Sequence, residues 1–208
     1  TSGGSSIVDH IDDGARVVVS TPGAEPVAER GYGAAVVLDT WAQLDRFDLR
    51  VDENAVRRWM SVGALIRPRG DGGAMVIVAD AALTPVQAVI RWDPVGFAAH
   101  ELANRVELGF PPAVTMASID GDTASVNAFT DLIELPEGAD VLGPVPLPAG
   151  VRPPAGVPEG AELERLLVRT DRRHGRQLTA ALTEAQVRRN THHETGAVRV
   201  QVDPPTIG

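Results

Sequence analysis

Apolar positions along the 208 residues follow two rhythms, and the first half alternates between them. Arg16–Ser20 (RVVVS) and Ala34–Leu38 (AAVVL) are short β-branched runs and read as strands. Asp52–Ile66 (DENAVRRWMSVGALI) instead spaces Val56, Trp59, Met60, Val62 and Ile66 at helical intervals behind an Asp cap, with Pro68 and Gly70 as the stop. Met75–Ala79 (MVIVA) is a third strand signal. Strands alternating with helices predict a parallel α/β sheet covered on both faces. Three strands make a small sheet, so residues 1–92 are expected to be the back part of a larger α/β domain.

Asp93-Pro94 opens the next helix, with Asp as the cap and Pro in the first turn, and Glu101 and Arg105 stand four apart on it. Gly109-Phe110-Pro111-Pro112 stops it, so residues 93–112 read as a connecting helix and a domain boundary. Residues 113–208 then give a strand at Ala113–Ile119, a helix at Asp122–Leu135 and a short strand at Asp140–Val145. After a Pro/Gly-rich loop over Pro144–Gly160 come a strand at Leu163–Thr170, a helix at Asp171–Asn190 and a strand at Ala197–Val202. That order is βαββαβ, the split β-α-β arrangement of ferredoxin-like domains. Two helices would cover one face of the sheet and leave the other open.

Composition narrows the chemistry. Hydrophobic residues make up 43 %, enough to bury a core, and 21 Gly with 16 Pro predict long loops or domain junctions. There is no cysteine, hence no disulfide framework, thiol nucleophile or thiolate zinc site in this chain. All 19 basic residues are Arg, so a Walker A lysine or a Schiff-base lysine is excluded too. The polar start and the lack of a long apolar run predict neither a signal peptide nor a membrane span, and the expected location is the cytoplasm, at the nucleoid. The formal charge is −9, but it is uneven. Residues 1–160 hold 11 Arg against 22 acids, whereas residues 161–208 hold 8 Arg against 6. A polyanion would meet the C-terminal quarter.

Most motif-like clusters are weak. Gly31-Tyr32-Gly33 precedes a strand, whereas a dinucleotide fingerprint follows one, so it reads as an ordinary turn. His192-His193-Glu194 and Asp9-His10 with Asp12-Asp13 have ligand-type residues without a metal-site spacing. No GxSxG nucleophile turn occurs. The arginines of the last quarter stand out. Arg165 and Arg169 share a strand face, and Arg172, Arg173, His174 and Arg176 gather where that strand turns into the next helix. Cations near a helix start oppose its dipole, so this cluster is a candidate anion site for phosphate or an acidic tail. Arg188 and Arg189, at the end of that helix, suit the dipole instead. No aromatic residue follows Phe129, so a nucleic acid would be met through phosphate and shape rather than base stacking.

Glu101–Pro112 (ELANRVELGFPP), Val141–Pro146 (VLGPVP) and Val200–Pro204 (VQVDP), in that order, resemble the PriA family of replication-restart proteins, also called primosomal protein N′. The resemblance covers roughly residues 97–204. It implies a small C-terminal α/β domain similar to a ribosomal-protein fold, and for residues 1–85 the tail of a RecA-like second helicase lobe. Leu38-Asp39, and Leu49-Arg50 with Glu53, echo that lobe's L-D and F-R-x-x-E. The family's K-G-x-D-F-P segment is replaced by Thr21–Pro26. Where the family carries Q-V-A-G-R-A-G-R, whose arginines reach nucleotide phosphates, this chain has Ser61–Pro68, with Leu65 and Pro68 at the finger positions and Arg67 displaced by one. Losing both fingers removes the groups that neutralise charge in phosphoryl transfer.

The resemblance places the family's zinc segment, first lobe and 3′-end-binding domain before Thr1, so zinc and ATP sites would lie mostly upstream and no cofactor is expected in this chain. It also puts Arg173, or its neighbour Arg172, where a basic residue holds the acidic tail of single-stranded DNA-binding protein. The family's R-[WY]-x-Q is here Glu162–Arg165, without the aromatic ring. The expected function is recognition of stalled or branched DNA forks and scaffolding of primosome proteins, without helicase activity. An active ATP-dependent 3′-5′ helicase and an RNA-binding ribosomal-like module are the alternatives.

Overall fold

The computed structural model describes residues 8–14, 16–45, 48–157, 160–191 and 196–207. The chain divides into two compact units, one of residues 1–46 and 50–98, the other of residues 47–49 and 99–208.

In the first unit, β1 (His10–Ile11) pairs in parallel with β2 (Val27–Ala28). β3 (Ala34–Val37) and β4 (Ala74–Ile77) form a second parallel pair, Ala34 opposite Ala74 and Val37 opposite Ile77. Parallel neighbours need a crossover, and the chain supplies one through α1 (Thr40–Leu44) and α2 (Val51–Ala64). Ala55, Val56 and Trp59 of α2 bury against Val86, Ala88 and Val89 of α3 (Thr84–Arg91) and Phe97 of α4 (Pro94–Leu108). Trp59 is 1 % exposed, and its indole N–H donates to Gln43 Oε1 at 3.2 Å, so its one polar atom is not orphaned.

Three expectations for this unit need correction. Arg16–Ser20 is not a strand: Val17 and Val19 are 91 and 93 % exposed, and the segment pairs with no strand among the described residues. β-branched residues favour extended backbone, but a strand persists only where a neighbour completes its ladder. The expected three-stranded sheet is therefore two separate pairs. Asp52 lies inside the first turn of α2, with Arg50 in the cap position. α3 went unread, because eight residues show little periodicity, although Pro85 in its first turn is a start signal. α4 begins where Asp93-Pro94 predicts, Asp93 Oδ1 accepting from the Gly96 N–H at 2.8 Å. It ends at Gly109, whose φ of +67° is a left-handed conformation that glycine takes without strain.

In the second unit, β5 (Val114–Gly121), α5 (Thr123–Asp131), β6 (Asp140–Pro146), β7 (Glu164–Asp171), α6 (Gly175–Thr191) and β8 (Val198–Val202) follow in the expected βαββαβ order. The strands lie as β6-β7-β5-β8, every neighbour antiparallel, which is the split β-α-β sheet. Ala117, Ile119, Leu166 and Val168 meet Val126 and Phe129 of α5 and Leu178, Leu182 and Ala185 of α6 in one core. α5 stops at Asp131 rather than Leu135, although Leu132, Ile133 and Leu135 still pack on that core. Its cap is Asp122, which accepts from the Ser125 N–H at 2.9 Å and the Ser125 hydroxyl at 2.7 Å.

The sheet face away from the two helices is not open. Met116, Ser118 and Asp120 on it are fully buried. After β8 the chain turns at Asp203 (φ +48°) and comes back over this face. The Asp203 N–H donates to the Met116 carbonyl at 2.7 Å, and the Thr206 carbonyl accepts from Arg165 Nη1 at 2.5 Å. β6 and β8 are the sheet's two edges. Pro144, Pro146 and a bulge between Leu142 and Val145 interrupt β6, whereas β8 (VRVQV) carries none of these.

Candidate functional site

The arginines singled out from the sequence separate into two groups in the structure. Arg172, Arg173 and Arg176 are exposed. The first two occupy the 3-10 turn Arg172–His174, and Arg176 lies in the first turn of α6. Gly175 fixes this corner, because a methyl group there would run into the Thr115 side chain on β5, and its absence lets α6 start tight against the sheet. Arg173 Nη2 lies 3.1 Å from Asp171 Oδ2, both groups in solvent, a pair of small net worth. Arg172 and Arg176 make no side-chain hydrogen bond or ion pair among the described residues. Two cations free to meet an anion therefore flank a third that is weakly paired.

Arg165 and Arg169 share a strand face as expected, but Arg165 is buried away from this patch and the partly exposed Arg169 is engaged within the domain. Arg165 is 1 % exposed: its Nε and Nη2 donate to Asp120 Oδ1 and Oδ2 at 2.7 and 3.0 Å, and Nη1 is taken by Thr206. Asp120 also accepts from Arg199 at 2.6 Å, so one carboxylate binds guanidinium groups from both neighbouring strands. The three residues are direct ladder partners, Asp120 opposite Arg165 and opposite Arg199. A charge this deep persists only when paired, and here the pairing is two-sided. Arg169 Nε donates to Asp140 at 3.0 Å and its Nη1 to the carbonyls of Leu108 and Gly109 at 3.2 and 3.3 Å, tying β7 to β6 and capping the end of α4. These arginines hold the domain together.

Sequence reasoning missed the Asp120–Arg165–Arg199 set. Its signal is a charged residue on each of three strands, Asp120 on β5, Arg165 on β7 and Arg199 on β8, and nothing in the sequence sets the register that brings them opposite. Arg105 was missed likewise as a buried group: its Nη1 donates to the Pro111 carbonyl at 2.8 Å and its Nη2 to that of Leu49. The Glu101–Arg105 pair predicted on α4 stands at 4.0 Å. Arg188 reaches Glu184 at 2.8 Å and Glu134 at 3.0 Å.

In the first unit the segment around Leu65–Pro68 is fixed by its backbone. The Tyr32 N–H donates to the Leu65 carbonyl and the Tyr32 carbonyl accepts from the Arg67 N–H, each at 2.9 Å, so Gly31-Tyr32-Gly33 is a turn laced to residues 65–67. A side chain on Gly73 would collide with the Arg67 carbonyl. The exposed Arg67 side chain lies over Gly31 and Gly33. A cavity of about 830 Å³ beside the segment is lined by Arg67, Pro68, Arg69, Met75, Val89 and Trp92 among others.

Asp12 and Asp13 are engaged by arginine. Asp13 accepts from Arg30 Nε and from its N–H at 2.9 Å, and Arg30 holds the carboxyl below its usual range. Asp12 pairs with Arg16. Among the described residues no three His, Asp or Glu converge on a metal position, and His192-His193-Glu194 lie outside those residues. No helix among the described residues is long and apolar enough to cross a membrane.

Comparison with known proteins supports the resemblance drawn from the three motifs. The family model described as primosomal protein N C-terminal domain matches residues 106–205. The chain is 50 % identical, over all of its 208 residues, to the probable replication restart protein PriA of Mycobacterium leprae (strain TN). It is 48 % identical to the protein of the same description from Mycobacterium tuberculosis (strain CDC 1551 / Oshkosh), again along its whole length. It spans about a third of the length of these curated relatives, 32 and 33 % respectively. The antiparallel sheet of the second unit lies within the matched segment, so residues 106–205 are similar to the primosomal protein N C-terminal domain, and the whole chain is similar to part of these replication restart proteins.

Proposed function

We propose that this chain is the fork-recognition and docking part of a replication restart protein, acting at the nucleoid without hydrolysing nucleotide. The observation that carries the reading is the exposed group Arg172, Arg173 and Arg176 in a chain of net charge −9, two of its members without a partner among the described residues. Its chemistry is that of a phosphate or carboxylate clamp. The parallel β3–β4 pair with its helical crossover supports reading the first unit as what remains of a RecA-like lobe. Leu65 and Pro68 at the finger positions support the absence of turnover. Zinc and nucleotide sites belong, on this reading, to other parts of the full-length protein, as do further contacts with primosome proteins.

Fluorescence anisotropy of the 208-residue chain against labelled forked, single-stranded and duplex DNA, and against an acidic peptide ending in Asp-Phe-Pro-Phe, tests the reading at two salt concentrations. Fork preference with a steep salt dependence supports DNA recognition by this region. Peptide binding without DNA binding reduces the role to protein docking. Displacement of forked DNA by structured RNA would favour the ribosomal-like alternative, and binding to neither DNA nor peptide overturns the proposal.

A further inference from the structure

A groove of about 1100 Å³ runs along β8 in the second unit, walled by α6 and by loop residues 152–156. Among the described residues β8 has β5 on one side only, so every second residue turns its N–H and C=O away from the sheet. Prolines and a bulge blunt the β6 edge, but VRVQV leaves the β8 ladder regular. Val198, Val200 and Val202 line the groove together with Arg152, Arg189 and Arg199. No Asp or Glu stands among its described lining residues, although the chain holds 28 acids against 19 arginines. Arg189 adds a second observation. It is 7 % exposed, its Nη2 donates to the Gly196 carbonyl, and its buried Nε has no acceptor among the described residues. A buried guanidinium short of an acceptor is uncommon in a finished site. Among the described residues Arg199 shares the Asp120 carboxylate with Arg165, two cations on one anion.

We propose that the β8 edge docks an extended acidic peptide, which adds as a fifth strand and sets its carboxylates against Arg152 and Arg189. Main-chain hydrogen bonds to the edge supply affinity, and acids on the helix-facing side of the added strand meet Arg152 and Arg189. A nucleic acid strand has no amide ladder to offer this edge, and the described lining holds no aromatic ring on which a base could stack. The site is separate from the proposed fork-binding patch, since Arg172, Arg173 and Arg176 do not line the groove.

The test is anisotropy of a fluorescein-labelled Asp-Val-Asp-Val-Asp-Ile-Glu peptide with the 208-residue chain, alongside amide hydrogen exchange of β8. Saturable binding is expected, with slowed exchange at the outward amides of residues 198–202. Arg152→Glu and Val187→Glu should each weaken it about tenfold. Both positions are exposed, Val187 to 58 %, so thermal unfolding should stay at the wild-type temperature, and either variant alone carries the test if the other loses its fold. No saturable binding, equal binding of a peptide with lysine in place of each acid, indifference to both substitutions, or unchanged β8 exchange would overturn the proposal. Stronger binding of single-stranded DNA to the same groove, lost in Val187→Glu, would overturn it as well.

Discussion

Asp120 and Arg165 stand directly opposite each other in the β5–β7 ladder, joined by two hydrogen bonds where neither side chain reaches solvent. The pair is cross-strand, so it clamps two strands rather than decorating one. Asp120→Asn leaves Arg165 a buried cation without its carboxylate and should cost about 3–5 kcal/mol, read as a lower midpoint in urea. Arg199→Ala removes a partly exposed partner of the same carboxylate and should cost much less. Equal losses in the two variants would mean that burial does not set the strength of this set.

The Arg172–Arg176 corner predicts a purely electrostatic phenotype. Arg172→Glu with Arg173→Glu should leave thermal unfolding unchanged, because both side chains are exposed and neither packs in the core. Fork affinity should collapse at low salt. With neutral substitutions at the two positions, the slope of log affinity against log salt should shrink by about one per arginine. Undiminished affinity in the charge-reversed variant would remove these residues from the interface.

Much of this was legible in the sequence, and the limits have a physical cause. The βαββαβ order follows from period-two and helical spacing, which local residues alone dictate. The exposed arginine corner was legible because Arg172, Arg173 and Arg176 are close in sequence. Arg165 and Arg169 were misread as a continuation of it. Their fate depends on Asp120 and Asp140, 45 and 29 positions away, and on the returning segment at Thr206, none of which has a local signature. Arg16–Ser20 was misread for the converse reason, since local propensity was strong and the neighbour it needs is not there among the described residues.

Asp122 offers a pH test. Hydrogen bonds from the Ser125 hydroxyl and N–H hold its carboxyl below the usual value, so the folded state favours the ionised form. The stabilisation is complete above the unfolded pKa of about 3.9 and is lost as pH falls through the lower folded value. Asp122→Ala should cost about 1 kcal/mol at neutral pH, the usual worth of a helix cap. The difference between variant and wild type, followed by urea unfolding, should narrow in acid.

Asp52 carries the opposite sign. Burial, with Glu53 beside it, pushes its carboxyl above the usual range, so the fold favours the protonated form. That contribution is present below the unfolded pKa and lost as pH rises through the folded one. Asp52→Asn should therefore unfold at a higher temperature than wild type at pH 7, with the two converging in acid. A lower melting temperature at pH 7 would show that the helix dipole at this first-turn position outweighs the burial cost.

The finger segment gives a prediction for the full-length protein. On the proposed reading of Leu65 and Pro68 as the finger positions, DNA-stimulated ATP hydrolysis should stay at background, and Arg67→Ala should change nothing. Unwinding by the wild-type protein that disappears in Arg67→Ala would restore the helicase reading.

The strand order of the C-terminal sheet has a consequence for how this protein is made. β8 is the sheet's last strand along the chain, yet it lies against β5, its first, with Asp120 and Arg199 79 positions apart. On the ribosome, β5, β6 and β7 can pair while residues 198–202 are still inside the exit tunnel. Until those residues emerge, one side of β5 stands open and Asp120 holds only Arg165. The nascent domain therefore passes through a three-stranded stage in which β5 is an edge strand open to wrong partners.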